Sequence, residues 1–143
     1  MTPPESGPVV IDTNIALDLF VFDNPDCVPL AAALAAGTLR WIATAPMRVE
    51  LERVLGYPLI VKRLARREME AARVLEAFDA RVHLLDGTPP RAPYVCKDPD
   101  DQVFIDLAVA HRARLVSKDQ AVLSMRKRLA SEGVIVMPVL TAV

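Results

Sequence analysis

The sequence predicts an α/β fold with a mostly parallel central sheet of four to five strands, and three observations carry that reading. The 52% hydrophobic content is aliphatic, with aromatics at only 5%, a composition suited to helices laid on a parallel sheet. Short apolar runs without polar alternation recur, the first being Val9-Val10-Ile11, and such runs read as strands buried on both faces. Between them stand stretches with apolar residues at helical spacing, so strand and helix alternate along the chain.

Residues 1–8 are proline-rich and read as a flexible tail; residues 9–143 read as a single domain, long enough for a real core. After the Val9–Ile11 strand, Ile15, Leu19 and Phe22 form the stripe of a short helix that Asp23, Asn24 and Pro25 end. A second helix runs from about Pro29 to Ala36 and stops at Gly37, a common residue just past a helix C-terminus. Trp41 to Ala43 is the second strand, and Pro46 suits the first turn of a helix carrying Val49, Glu50, Leu51, Val54 and Leu55. Gly56-Tyr57-Pro58 breaks that pattern. A longer helix is expected from about Glu68 to Ala80, with Met69, Ala72, Leu75 and Phe78 as its apolar positions, and Val82 to Leu85 is the third strand.

The stretch Asp86 to Pro93, with three prolines and a glycine, is an exposed loop. Asp98-Pro99-Asp100-Asp101 opens the next helix, whose stripe is Phe104, Leu107, Ala108 and His111. Leu115 to Ser117 is a short strand, Asp119 starts another helix, and Val134 to Val139 closes the chain as a strand.

The net charge of −1 neither supports nor excludes a nucleic-acid partner. Cys27 and Cys96 are too few for a disulfide framework and form no metal-ligand spacing, which makes a reducing cytoplasm the expected compartment. No signal peptide precedes the first strand, and no apolar run approaches the roughly 20 residues of a membrane span. His83 and His111 have no partner at zinc-ligand spacing. The five glycines form no phosphate loop, and no G-x-S-x-G elbow is present.

Acids recur where strands end. Asp12 follows the first strand, Asp119 follows the Leu115 strand, Asp101 opens the helix before it, and Glu50 lies in the first turns of the helix after the second strand. In a parallel sheet with right-handed crossovers all four places lie at the carboxyl edge. Carboxylates gathered there repel one another, and a hard divalent cation with oxygen ligands resolves the conflict. Capping also explains some of these acids. Asp98 before Pro99 reads as an N-cap, Asp100 and Asp101 favour the helix dipole, Asp119 admits a capping role, and Glu50, like Glu52, also reads as a solvated helix residue. Asp12 has no such bland explanation, since a buried strand rarely ends in an uncompensated acid. Asp106, five residues past Asp101 and well round the helix from it, is left out of the site, while Asp18, one turn after Asn14, either lies near the site or faces water.

These residues resemble a known pattern. The order VVIDTN, then E-L-x-x-V-L from Glu50 to Leu55, then D-P-D-D-x-x-F-x-x-L-A from Asp98 to Ala108, then L-V-S-K-D from Leu115 to Asp119 resembles PIN-domain nucleases. The likeness is to the small prokaryotic PIN proteins, grouped with VapC-type toxins of toxin–antitoxin pairs. The resemblance implies a parallel sheet between two helical layers. It puts the metal-binding acids on Asp12, Glu50, Asp101 and Asp119, with Asn14 and Ser117 as polar supports; many relatives have threonine where this chain has Ser117. Asp101 is preferred to Asp100 because it lies seven residues before Ala108, the family's usual offset.

The implied activity is endonucleolytic cleavage of single-stranded RNA by a Mg²⁺- or Mn²⁺-activated water, leaving a 5′-phosphate and a 3′-hydroxyl. The implied partners are an antitoxin protein and a second copy of the chain. Lys62, Arg63, Arg66 and Arg67 form a candidate RNA-contacting patch, or else a solvated helix face beside Glu68 and Glu70. Arg126, Lys127 and Arg128 read as plain surface. Two rivals stand beside the nuclease. One is a small aspartate-based phosphatase, which would want an aspartate where this chain has Asn14. The other is a PIN fold kept as a non-catalytic RNA- or protein-binding module.

Overall fold

The computed structural model describes residues 7–140. Five strands form one sheet: β1 (Gly7–Ile11), β2 (Leu39–Thr44), β3 (Val82–Leu85), β4 (Arg114–Val116) and β5 (Ile135–Met137). Their order is β3-β2-β1-β4-β5, and every neighbouring pair is parallel. The helices are α1 (Thr13–Phe20), α2 (Val28–Ala36), α3 (Ala45–Val54), α4 (Pro58–Arg66), α5 (Ala71–Arg81), α6 (Gln102–His111), α7 (Gln120–Leu123) and α8 (Arg126–Ala130). Two 3₁₀ turns, Pro25–Cys27 and Pro99–Asp101, lead into α2 and α6. Among the described residues no single helix is long and apolar enough to cross a membrane.

The strand order positions the site. The chain steps outward from β1 through β2 to β3, then returns to lay β4 on the other flank of β1. Right-handed crossovers put the helices of these two excursions on opposite faces, which gives an α/β/α sandwich. α1 and α5 both pack on α3, while α6 lies against β1 and β4. The reversal between β1 and β4 opens a crevice beyond their carboxyl ends, the usual ligand site of an open parallel sheet.

Val9, Val10 and Leu115 are fully buried, as strands covered on both faces require. Three of the chain's few aromatics meet in one cluster. Trp41 on β2 stacks on Phe20 of α1, with ring centroids 5.8 Å apart, and meets Phe78 of α5 edge-on at 5.2 Å. That cluster binds the α1 and α5 helices to the sheet through the largest apolar areas available.

Several boundaries depart from the sequence reading. Gly7 and Pro8, expected in the tail, belong to β1 and pair with Leu39 and Arg40; the rest of the expected tail lies outside the described residues. Gly56-Tyr57-Pro58 does not merely end α3. Pro58 occupies the first turn of α4, a helix the sequence reading lacked, and Ile60 and Leu64 bury its inner face. Glu68 then takes a left-handed φ of 51°, and the Met69 N–H reaches the Leu64 carbonyl at 2.9 Å. That closure ends α4, so the following helix begins at Ala71 rather than Glu68 and turns Val74 and Phe78, not Ala72, to the core. The helix expected after Asp119 is two short ones, α7 and α8, and the last strand is limited to Ile135–Met137.

Candidate metal centre

Asp12 is the first residue beyond β1. Its N–H donates to the Val116 carbonyl at 3.0 Å, prolonging the β1–β4 ladder, and its side chain caps α1. The cap is a 3.3 Å bond from the Asn14 N–H to Oδ1. The other oxygen, Oδ2, accepts from the Ser117 hydroxyl at 2.7 Å. Ser117, fully buried just past β4, also accepts the Asp119 N–H at 3.1 Å. One hydroxyl therefore ties the turns after both strands together. Asp12 thus has a local role as an N-cap, which the sequence reading did not grant it.

Asp119 caps α7 by accepting the Ala121 N–H at 2.9 Å. Asp98 caps the 3₁₀ turn before α6 by accepting the Asp100 N–H at 3.0 Å. Asp101, the last residue of that turn, is buried. Asp98, Asp101 and Asp119 each present a carboxylate oxygen, and these oxygens lie within 4.8 Å of one another. The buried Asp101 Oδ2 has no hydrogen-bond partner.

Charge makes the crowding costly. The Asp101 carboxyl is pushed up to about 8: burial is the main cause, followed by the Asp12 charge, a hydrogen bond that its protonated form gives Asp119, and the charges of Asp119 and Asp98. Burial also raises Asp12, against the hydrogen bonds from Ser117 and Asn14 that favour its charged form. Glu50, on α3, is raised by burial as well, with the Thr13 hydroxyl pulling it back and Asp12 adding repulsion. Arg53 offsets part of the charge at Glu50, but among the described residues no salt bridge reaches Asp12, Asp98, Asp101 or Asp119; their oxygens, one of them buried and orphaned, fit a hard divalent cation.

All four sequence-predicted acids lie at the carboxyl edge. The structure brings Asp101 and Asp119 into direct proximity, sets Asp12 beside them, and holds Glu50 next to Asp12 through Thr13. Ser117 supports Asp12 through its hydroxyl. Asn14 does so through its main-chain N–H, since its side chain is exposed. Asp100 is exposed and outside the Asp98, Asp101 and Asp119 group, and its charge adds slightly to the repulsion at Glu50. The sequence explains Asp98 by capping, which it performs, and leaves open whether Asp98 or Asp100 also contributes to the site; nothing in the sequence marks Thr13 as lying beside Glu50.

Asp18 does not face water: it is buried and ion-paired with Lys118. Of the basic patch, Lys62, Arg66 and Arg67 are exposed and Arg63 is half-buried; Arg67 donates to the Val21 carbonyl at 2.6 Å and Arg63 lies over the Phe22 ring at 5.5 Å. His83 and His111 are exposed.

Two comparisons with known proteins bear on this arrangement. The family model described as PIN domain matches residues 8–121. Among solved structures, the chain is similar to one from the crystal structure of VapBC2 from Rickettsia felis bound to a DNA fragment from their promoter, with a TM-score of 0.57 and 15% identity over 90% of this chain and 96% of that one. At that identity the likeness is one of fold. No curated protein sequence matches.

Proposed function

The chain belongs to the PIN domain family, and from that premise we propose that it is a Mg²⁺- or Mn²⁺-dependent endoribonuclease acting on single-stranded RNA. The single observation that carries the metal requirement is the buried, unpartnered Asp101 Oδ2 among the Asp98 and Asp119 carboxylates. Asp101 and Asp119, with Asp12 beside them, are the residues that hold the ion, and Glu50 is a further ligand or an orienter of water. A bound divalent ion supplies water more acidic than bulk and offsets charge on the phosphoryl oxygens.

The chain's own residues set the terms for that chemistry. Ser117 holds Asp12 in a fixed orientation and ties Asp119 to the same turn. Without an ion, Asp101 retains a proton bonded to Asp119 at neutral pH. Loading the site removes that proton, so Mn²⁺ affinity rises with pH up to about 8 and binding releases protons into the buffer. Lys62, Arg66 and Arg67 are the exposed cations of the candidate patch, and since Arg67 is bonded to the Val21 carbonyl, Lys62 and Arg66 are the ones offered to phosphates.

The direct test is cleavage of a single-stranded RNA with added Mg²⁺ or Mn²⁺ by the parent, Asp12→Asn and Asp101→Asn. Metal-dependent cutting by the parent alone supports the reading. Equal activity in all three would assign the cutting to a contaminant. RNA binding by the parent without cutting would favour the non-catalytic module instead.

We further propose that the chain is the toxin of a toxin–antitoxin pair, on the fold likeness to the VapBC2 chain, and a homodimer, on the analogy with its family alone. A small protein encoded beside it should form a complex with it and suppress cleavage. Sedimentation of the chain alone should give twice the monomer mass.

A further inference from the structure

The segment 86–98 carries neither helix nor strand, so no ladder fixes the approach to Asp98. Side chains of α6 do so instead. Gln102, buried directly after Asp101, accepts the Cys96 N–H at 2.7 Å through Oε1 and donates through Nε2 to the Tyr94 carbonyl at 3.1 Å. The same nitrogen reaches Asp106 Oδ1, one turn along α6, at 2.8 Å. That oxygen also takes the Ala92 N–H at 2.9 Å. Three main-chain groups between Ala92 and Cys96 are thereby pinned to α6 shortly before the chain reaches Asp98. Beyond the pinned segment, the Asp98 carboxylate stands against those of Asp101 and Asp119, and the Oδ2 of the buried Asp101 has no hydrogen-bond partner among the described residues.

We infer that Gln102 and Asp106 are positioning residues, which fix the segment 92–98 so that Asp98 becomes the third carboxylate, with Asp101 and Asp119, around a divalent cation. The inference rests on the metal-centre reading and adds to it a ligand and the two residues that place it. Buried polar side chains that satisfy several main-chain groups at once act in this way, since losing them releases a whole segment. Neither Gln102 nor Asp106 touches the ion; each acts through Asp98.

Mn²⁺ binding to the full chain, followed by the loss of the free-ion electron paramagnetic resonance signal, tests this without relying on cleavage. The parent binds, and Asp100→Asn, which removes one charge next door, binds alike. Asp98→Asn and Gln102→Ala each weaken binding by about tenfold or more. The double variant Asp98→Asn with Gln102→Ala is no weaker than Asp98→Asn alone, because the glutamine acts only through that carboxylate. Should Gln102→Ala fail to fold, Asp106→Ala takes its place in the cycle with the same expectation. Parent-like binding by Asp98→Asn, or losses that multiply in the double variant, overturns the inference. Absence of binding by the parent overturns the metal-centre reading beneath it, a distinguishable result.

Discussion

Two regions treat their carboxylates in opposite ways. On the outer surface of α3 and α5, Arg48 grips Asp79 through two bonds of 2.8 Å each, and that pairing holds the Asp79 carboxyl below the usual carboxylate range. Beyond the ends of β1 and β4, Asp101 is buried among Asp12, Asp98 and Asp119 and pushed up to about 8. Cations are not scarce nearby. Lys118, next to Asp119 in the chain, is engaged by Asp18. A fold that pairs acids with basic side chains elsewhere, and among the described residues brings no salt bridge to Asp12, Asp98, Asp101 or Asp119, keeps a place for a positive charge it does not encode.

The largest effect that would break this contrast is at Asp101. Asp101→Asn should cut RNA cleavage by roughly 10² or more, the usual scale for losing one preorganised electrostatic partner. The same variant should raise the thermal midpoint of the metal-free protein at pH 8, because it removes a buried charge that nothing compensates. A fall in both activity and midpoint would mean that Asp101 is structural.

The pH dependence sharpens the contrast. Between 3.8, the ordinary aspartate value, and about 8, folded Asp101 binds a proton that the unfolded chain has released. Its contribution to stability is therefore full below about 4 and lost as the pH rises through about 8. Asp12 and Glu50, also raised, push the same way. Asp79 has the opposite sign, and its contribution is lost as the pH falls through its lowered value. The midpoint gap between Asp101→Asn and the metal-free parent should widen across that window and close when Mn²⁺ is added. A gap independent of pH would count against the buried charge.

Ser117→Ala comes next. It strands Asp12 Oδ2 and the Asp119 N–H, at a cost of about 1–3 kcal/mol by chemical denaturation, and should reduce cleavage about tenfold. Ser117→Thr, which keeps the hydroxyl, should restore both. Charge reversal at Lys62 and Arg66 should weaken RNA binding most at low salt, lowering the salt slope by about 1 for each phosphate no longer neutralised. An unchanged salt titration would remove those residues from the interface. Reversal at Arg63 or Arg67 is the poorer test, since both already hold the end of α1. The smallest effect belongs to the surface pair: Arg48→Ala should cost no more than about 1 kcal/mol, screened further by salt, and leave cleavage unchanged.

Most of the fold was legible in the sequence because its signals are local. The Val9–Ile11 and Val82–Leu85 runs, the stop at Gly37 and the Pro99 turn each follow from a few neighbouring residues, and all appear in the structure. The α4 helix escaped because Pro58 ends one pattern and begins another with the same residue. The part of Asp98 in the site stays open in the sequence for a different reason. A capping role explains it fully within its own turn, and only the packing of that turn near Asp119 gives the carboxylate a second role.

By itself, then, the sequence determined the alternation of strand and helix, the acids that follow the strands, and the family whose pattern they repeat. Those are properties of residues within a turn or two of one another. The tertiary structure alone decided that β4 lies beside β1, that Ser117 bonds Asp12 from far along the chain, and that Gln102 pins the approach to Asp98. Such pairings depend on strand order and on how the segments pack, which no short window of sequence encodes, and with them go the degree of crowding and the charge it leaves unmet.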